Sequence, residues 1–196
     1  MKSRFSLVQF LIFLAVLVFG IFSPLYAHRA IPNADKVEKV SYTKKEFFDT
    51  IAPSVQEVAS AYGVKPSIVM AQAALESNYG RYLLASKYHN LFAVAAQPGD
   101  KIITLKYKHY FVNEWQTEIG QFAVYKSWDD AIYDYFALLK DEKITSSKGA
   151  YELMVSDKGY KKLAQALQDM SFSTDPDYAD KLVKIIEENN LTSYDK

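Results

Sequence analysis

The chain contains no cysteine, which excludes disulfides, a thiol nucleophile and any cysteine-ligated metal centre. The same absence removes the acceptor that a lipoprotein anchor needs. Histidine is scarce as well: His28, His89 and His109 lie far apart and form no HExxH-type spacing, so no zinc site is expected. Neither a GxxxxGK[ST] nor a GxGxxG loop is present to cradle phosphates. Charge of one sign is missing too. Lys+Arg and Asp+Glu both total 23 and the formal net charge is zero, so bulk electrostatics offers nothing to a nucleic acid. Repeats and low-complexity tracts are absent. The expectation is a chain with no cofactor, no metal and no nucleic-acid partner.

What is present is apolar surface. Of 196 residues, 49% are hydrophobic and 15% aromatic, enough for one globular domain with a genuine core. Part of that content is concentrated at the start. Lys2 and Arg4 precede an apolar run from Phe5 to about Tyr26, interrupted by Ser6, Gln9, Ser23 and Pro24 and continuous from Phe10 to Phe22. A positive flank stays in the cytoplasm, which puts the chain that follows outside. A run of about 22 residues is long enough to cross a bilayer. Leu25-Tyr26-Ala27 offers Ala before a cut but Leu where a small residue is preferred, and the run exceeds the usual signal-peptide core of about 7–15 residues. Residues 1–27 are therefore expected to be a single-pass membrane anchor with the domain extracytoplasmic. The alternative is a cleaved signal and a secreted protein.

Residues 28–43 are polar and mixed in charge and read as a linker; residues 44–196 read as the folded domain. Thr43 with Glu46 three residues on has the spacing of a capping box. Phe47, Phe48, Ile51, Val55, Val58 and Ala59 then form a helical stripe, with a kink or fresh start predicted at Pro53 and a stop at Gly63. Pro66 opens a helix running to about Ser77, and Arg81–Lys87 predicts a short third helix. Pro98-Gly99-Asp100 is a turn signal. From Ile102 to Val112 the residues are β-branched and aromatic and predict a small hairpin bounded by Trp115 and by Phe122–Tyr125. Helices resume with Ser127 as a cap before Ala131, Ile132, Tyr135, Phe136 and Leu139, then over 150–155 and 160–167. Thr174 or Asp175 is expected to cap a last helix with Pro176 in its first turn and Tyr178, Leu182 and Ile185 on its inner side. The fold class is α+β, mostly helical with one small hairpin.

Within that pattern one segment carries chemistry. Ala71-Gln72-Ala73-Ala74-Leu75-Glu76-Ser77-Asn78-Tyr79-Gly80 puts a carboxylate in the last turn of an alanine-rich helix. Gln72, Ala73 and Val69 lie one or two turns before it on the same side. A carboxyl held there is dry on one side, and desolvation disfavours its charged form, so it keeps its proton near neutral pH. Glycoside cleavage needs such a general acid.

That run, followed by Asn90-Leu91-Phe92, by Phe122-Ala123-Val124-Tyr125-Lys126-Ser127-Trp128 and by Asp175-Pro176-Asp177-Tyr178-Ala179, resembles the bacterial glucosaminidase domain, glycoside hydrolase family 73. The resemblance extends from about Lys45 to about Asn190 with the four motifs in the family's order. It implies a lysozyme-like two-lobe domain, hydrolysis of peptidoglycan glycan strands at β-1,4 bonds of N-acetylglucosamine, and Glu76 as the catalytic acid. It also implies Asn90, Phe92 and Tyr178 as substrate-binding residues; Tyr79 and Tyr125 offer sugar-stacking surface, since amphipathic rings suit carbohydrate faces. Partners implied are the glycan strands, the membrane through the N-terminal helix, and cell-division or wall-synthesis proteins.

Two departures from the family pattern matter. Where many members carry a hairpin Glu in Thr-x-Glu-Tyr, this chain has His109 followed by Tyr110. The second catalytic group is then Glu114, Glu118, His109 or the substrate's own N-acetyl group. Ala93 also stands where the family usually has Gly. A lytic transglycosylase or muramidase on the same scaffold, and a non-catalytic wall or division scaffold, remain as alternatives.

Overall fold

The computed structural model describes residues 7–27, 31–144, 148–156 and 158–196. The chain divides into two compact units, Met1–Ile31 and Pro32–Lys196. The first contains helix α1 (Leu7–Ala27, 21 residues), whose described side chains are exposed and apolar between Leu7 and Val18. Among the described residues, whose side chains in α1 stop at Val18, no helix is long and apolar enough to cross a membrane. The expected anchor over residues 1–27 thus gains no support from the fold.

In the second unit, α2 (Lys44–Tyr62) starts at the expected capping box. Glu46 N–H donates to the Thr43 hydroxyl, and Thr43 N–H donates to Glu46 Oε2 at 2.7 Å. The helix ends at Gly63 in the left-handed region, φ 70°. It runs across Pro53 without the fresh start expected there. Pro53 lies on the exposed side, where water can satisfy the carbonyl that loses its N–H partner.

Helix α3 (Pro66–Ser77) is buried from Ser67 to Ala74, as a helix apolar on every side must be. Alanine at 71, 73 and 74 lets α2, the helix over Tyr178–Glu188 and the C-terminal turn over Leu191–Tyr194 approach it. The N-terminal amides of α3 are met from the far end of the chain, where Asp195 accepts from Ser67 N–H and Ser67 Oγ, each at 2.7 Å. Helix α4 spans Leu83–Tyr88, starting two residues and ending one residue later than predicted. Strands β1 (Ile102–Phe111) and β2 (Glu114–Ala123) pair antiparallel from Ile102↔Ala123 to Phe111↔Glu114. Trp115 lies inside β2 rather than at its boundary. The connecting Val112 and Asn113 have φ of 50° and 63°, the two left-handed residues that match a two-residue turn to strand twist.

Helices α5 (Trp128–Lys140), α6 (Ala150–Met154), α7 (Tyr160–Asp169) and α8 (Tyr178–Glu188) follow, with a 3₁₀ turn over Leu191–Tyr194. Helix α8 starts later than the sequence predicts. Its cap position is Asp177, beyond both expected candidates. Thr174 Oγ1 accepts from Tyr110 N–H, and Asp175 pairs with Lys181 through Oδ2 while its Oδ1 accepts from Asp177 N–H. The stretch read as a linker is also corrected from Pro32 onward. Ala34 N–H donates to Lys106 O and Lys106 N–H to Pro32 O, while Leu83 N–H donates to Lys36 O. Ala34 is buried with Leu83, Leu84, Leu105 and Phe122 in a small core beneath the hairpin. The larger core joins α2, α3, α5, α7 and α8 through Phe47, Ile51, Ile68, Phe136, Leu167 and Leu182. Each such buried side chain contributes about 1.5–3 kcal/mol of hydrophobic stabilisation.

Candidate active site

The last turn of α3 is held rigidly. The Ser77 hydroxyl donates to Ala73 O and accepts from Gly80 N–H at 2.7 Å. The stop is built one step earlier than the sequence suggests: Asn78, Tyr79 and Gly80 all lie in the left-handed region, at φ 50°, 58° and 74°. Only Gly fits the third position. A Cβ there would lie 2.6 Å from the Tyr42 hydroxyl oxygen and 2.7 Å from the Trp128 ring, and that hydroxyl donates to Gly80 O.

Glu76, in this turn, opens into a cavity of about 180 Å³. Gln72 and Glu76 of α3, Tyr135 of α5, Tyr178 of α8 and the Phe92–Val94 loop form most of the wall, with Ile144, Phe172 and Ser173 completing it. Tyr135 Oη donates to Gln72 Oε1 at 2.8 Å, and Gln72 Nε2 donates to Tyr178 Oη at 3.1 Å. Burial, and secondarily the Asp175 charge, push the Glu76 carboxyl up to about 7. Burial likewise raises both phenols, Tyr178 well above the usual value. The result is a carboxyl that keeps its proton up to about pH 7 beside neutral hydroxyls, an arrangement that can deliver a proton to a leaving oxygen.

Three other expected residues are distributed differently. Phe92 lines the cavity, stacked on Tyr135 with centroids 4.0 Å apart. Asn90 is 1% exposed and serves the backbone: its Nδ2 donates to Val94 O and Ala123 O, and its Oδ1 accepts from Val94 N–H, all at 2.9 Å. It closes the loop that carries Phe92 rather than presenting its amide to the cavity. Tyr79 is corrected outright. Its ring is buried edge-on to Phe47 and Phe48, under the Lys44 amine, and it does not line the cavity. Tyr125 is also used structurally, donating to Asp134 Oδ2 at 2.6 Å.

None of the hairpin candidates for a second catalytic group lines the cavity. Glu118 is exposed and accepts from Tyr107 Oη at 2.9 Å; Glu114 is exposed and accepts from Gln116 Nε2 at 3.0 Å. His109 Nε2 lies 3.8 Å from Glu118 Oε1, and its buried Nδ1 has no partner among the described residues. Among the described residues on the cavity wall, Glu76 is the one carboxylate.

Residues 52–191 match the sequence profile of the glucosaminidase family, described as mannosyl-glycoprotein endo-beta-N-acetylglucosaminidase. The chain belongs to the glucosaminidase family. It is 30% identical over 194 residues to the exo-glucosaminidase LytG of Bacillus subtilis, covering 99% of this chain and 66% of that protein. It is 30% identical over 188 residues to a probable N-acetylmuramidase of Lactococcus lactis subsp. cremoris, covering 92% of this chain and 42% of that protein. The fold is similar to the catalytic domain of the autolysin Auto from Listeria monocytogenes, with TM-score 0.64, 28% identity and coverage of 99% and 100%. The chain thus spans less than two thirds of the length of these curated relatives.

As a glucosaminidase domain, the chain brings together more than its motifs announce. Gln72 was visible one turn before Glu76. Tyr135 is indistinguishable from the other core positions of an amphipathic helix, and Phe172, Ser173 and Ile144 carry no sequence signal at all.

Proposed function

We propose that the protein is a peptidoglycan hydrolase, an N-acetylglucosaminidase that cleaves β-1,4 bonds of cell-wall glycan strands with Glu76 as general acid. The observation that carries this reading is the Glu76 carboxyl, pushed up to about 7 in a cavity-lining position at the end of α3. A carboxyl still substantially protonated at neutral pH donates to the glycosidic oxygen as the bond breaks. With one carboxylate on the described wall, the positive charge developing on the sugar is answered by the substrate's N-acetyl oxygen. Tyr178 and Phe92 supply a polar tip and an apolar ring against the sugar.

The same single carboxylate favours a second reading, a muramidase or lytic transglycosylase, since ring closure on the muramic residue needs no carboxylate nucleophile. Digestion of purified sacculi, followed by mass spectrometry of the fragments, separates the readings. Reducing N-acetylglucosamine ends support the first; reducing or anhydro N-acetylmuramic ends overturn it.

We further propose that residues 1–27 anchor the protein in the cell membrane with the domain outside. Support comes from Lys2 and Arg4 preceding the apolar residues of α1. Fractionation of the native protein tests this, a shortened secreted form beginning near His28 being the contrary result.

A further inference from the structure

Two hydrogen bonds tie the hairpin to the wall of the cavity. At its base, Ala123 N–H donates to the carbonyl of Val94, a wall residue, at 3.1 Å. Toward its tip, Tyr110 N–H donates at 3.1 Å to Oγ1 of Thr174, the residue after Ser173 of the wall. Side chains alternate along paired strands, so the hairpin has two faces. On one, Leu105 and Phe122 are buried in the small core, against which both Tyr107 and the wall residue Ala93 pack. From that core a row of rings climbs β1. The Tyr107 centroid lies 5.7 Å from that of Phe122, His109 lies 5.8 Å from Tyr107, and Phe111 lies 6.2 Å from His109. Gly120 leaves room for the row, since a Cβ there would lie 3.0 Å from Tyr107 Cε1. Phe111 at its end is 58% exposed. Directly across the strand pair stand planar polar groups, with Glu118 opposite Tyr107, Gln116 opposite His109 and Glu114 opposite Phe111. Glu118 accepts from Tyr107 Oη and Glu114 from Gln116 Nε2. Both carboxylates are exposed and keep further lone pairs for donors from outside.

We propose that this face of the hairpin is a subsite that carries the glycan strand onward from the cavity, with sugar rings lying along Tyr107, His109 and Phe111. Hydroxyl and acetamido N–H groups of those sugars donate to Glu118 and Glu114. This rests on the reading of the protein as a hydrolase of glycan strands and adds a preference for long ones. A pyranose has an apolar C–H face and a polar rim, so it suits an aromatic row with acceptors beside it. A lipid surface is the poorer occupant, because it would bury the two carboxylates without partners. Continuity with the cavity singles out this face. The opposite face carries Trp115, 52% exposed and edge-on to Tyr110, and no residue of that face belongs to the small core that Ala93 joins. Trp115 is therefore a matched ring on the same hairpin that the strand does not cover.

The test is KM of the full chain and its Phe111→Ala, Phe111→Tyr and Trp115→Ala variants on peptide-free glycan strands fractionated by length, with melting curves for each. Phe111 is exposed, so its truncation should leave the fold intact. Phe111→Ala is expected to raise KM on long strands about fivefold relative to the shortest cleavable fragments, the worth of one stacked ring. Phe111→Tyr keeps the ring and should recover most of that loss, and Trp115→Ala should show the parent's dependence on length. Equal long-to-short KM ratios in the parent and folded Phe111→Ala overturn the proposal, as does an equal loss in Trp115→Ala. If the ratios are equal and Trp115 emission shifts to the blue in phosphatidylglycerol vesicles, the apolar tip belongs to lipid instead. Failure of the parent to cleave glycan strands of any length overturns the underlying reading, not the subsite alone.

Discussion

Gln72 and Glu76 stand one helical turn apart on α3 and open into the same cavity. The amide is tied to Tyr135 and Tyr178, and the carboxyl lies beside them with its charged form disfavoured. The amide holds the wall in place, and the carboxyl is left to do chemistry.

Glu76→Gln keeps the shape and removes the proton. Turnover on peptidoglycan should fall about 100- to 10,000-fold, the usual contribution of general acid catalysis, with the fold intact by circular dichroism. In the parent, activity should decline as pH rises through about 7, because the acid must be protonated to act. Near-native turnover by Glu76→Gln would remove Glu76 from the mechanism.

The same variant should be the more stable protein at neutral and alkaline pH. The folded carboxyl titrates near 7 against an ordinary value of 4.5. Below 4.5 both states are protonated and the parent has its full stability. Between 4.5 and 7 the unfolded chain loses its proton first, so parent stability falls as pH rises and levels off above 7. Glu76→Gln escapes this loss, on the order of 3 kcal/mol at full ionisation. Melting temperatures measured from pH 4 to pH 8 should diverge across this window; parallel curves would contradict it.

Glu114→Gln and Glu118→Gln should each stay within a few-fold of parent turnover, since both side chains are exposed and neither meets the cavity. A loss comparable to that of Glu76→Gln in either variant, measured as kcat on the same substrate, would bring the hairpin into the chemistry.

Ala93→Gly should stabilise the domain. Ala93 has φ 53° on the cavity wall, where an L side chain costs roughly 1–2 kcal/mol and Gly almost nothing. After the entropy of Gly in the unfolded chain is set against this, a gain of about 0.5–1 kcal/mol in urea unfolding is expected. A decrease would show that the Ala93 methyl packs well enough to outweigh the backbone strain.

Asp195→Ala should destabilise the domain by about 1–2 kcal/mol, by leaving the Ser67 N–H and hydroxyl without their acceptor at the start of α3. Denaturant titration measures the effect directly. An unchanged midpoint would mean that water replaces the carboxylate at no cost.

Local signals settled much of this protein. The capping box at Thr43, Pro66 ahead of an alanine-rich run, the β-branched residues from Ile102, and a carboxylate at the end of the central helix act through neighbours a few residues away, so they are legible in one dimension. The family match came from the same kind of evidence, short runs in a fixed order. Tertiary structure alone decided where each side chain is used. Tyr79 looked like a sugar platform, yet the left-handed turn after α3 sends it beneath Phe47 and Phe48. Residues 32–37 looked like a linker, yet backbone bonds to Lys106 and Leu83 bind them to the domain. Thr174 and Asp175 read as helix caps, yet the helix cap lies beyond them at Asp177, with Thr174 bound to Tyr110 and Asp175 shared between Lys181 and Asp177 N–H. Polar side chains and open backbone groups bond to whatever the folded chain brings near, and those partners stand several residues or most of the domain away. Proximity of that kind exists only once the core has formed, and it made a wall for Glu76 out of Tyr135, Ser173 and Tyr178.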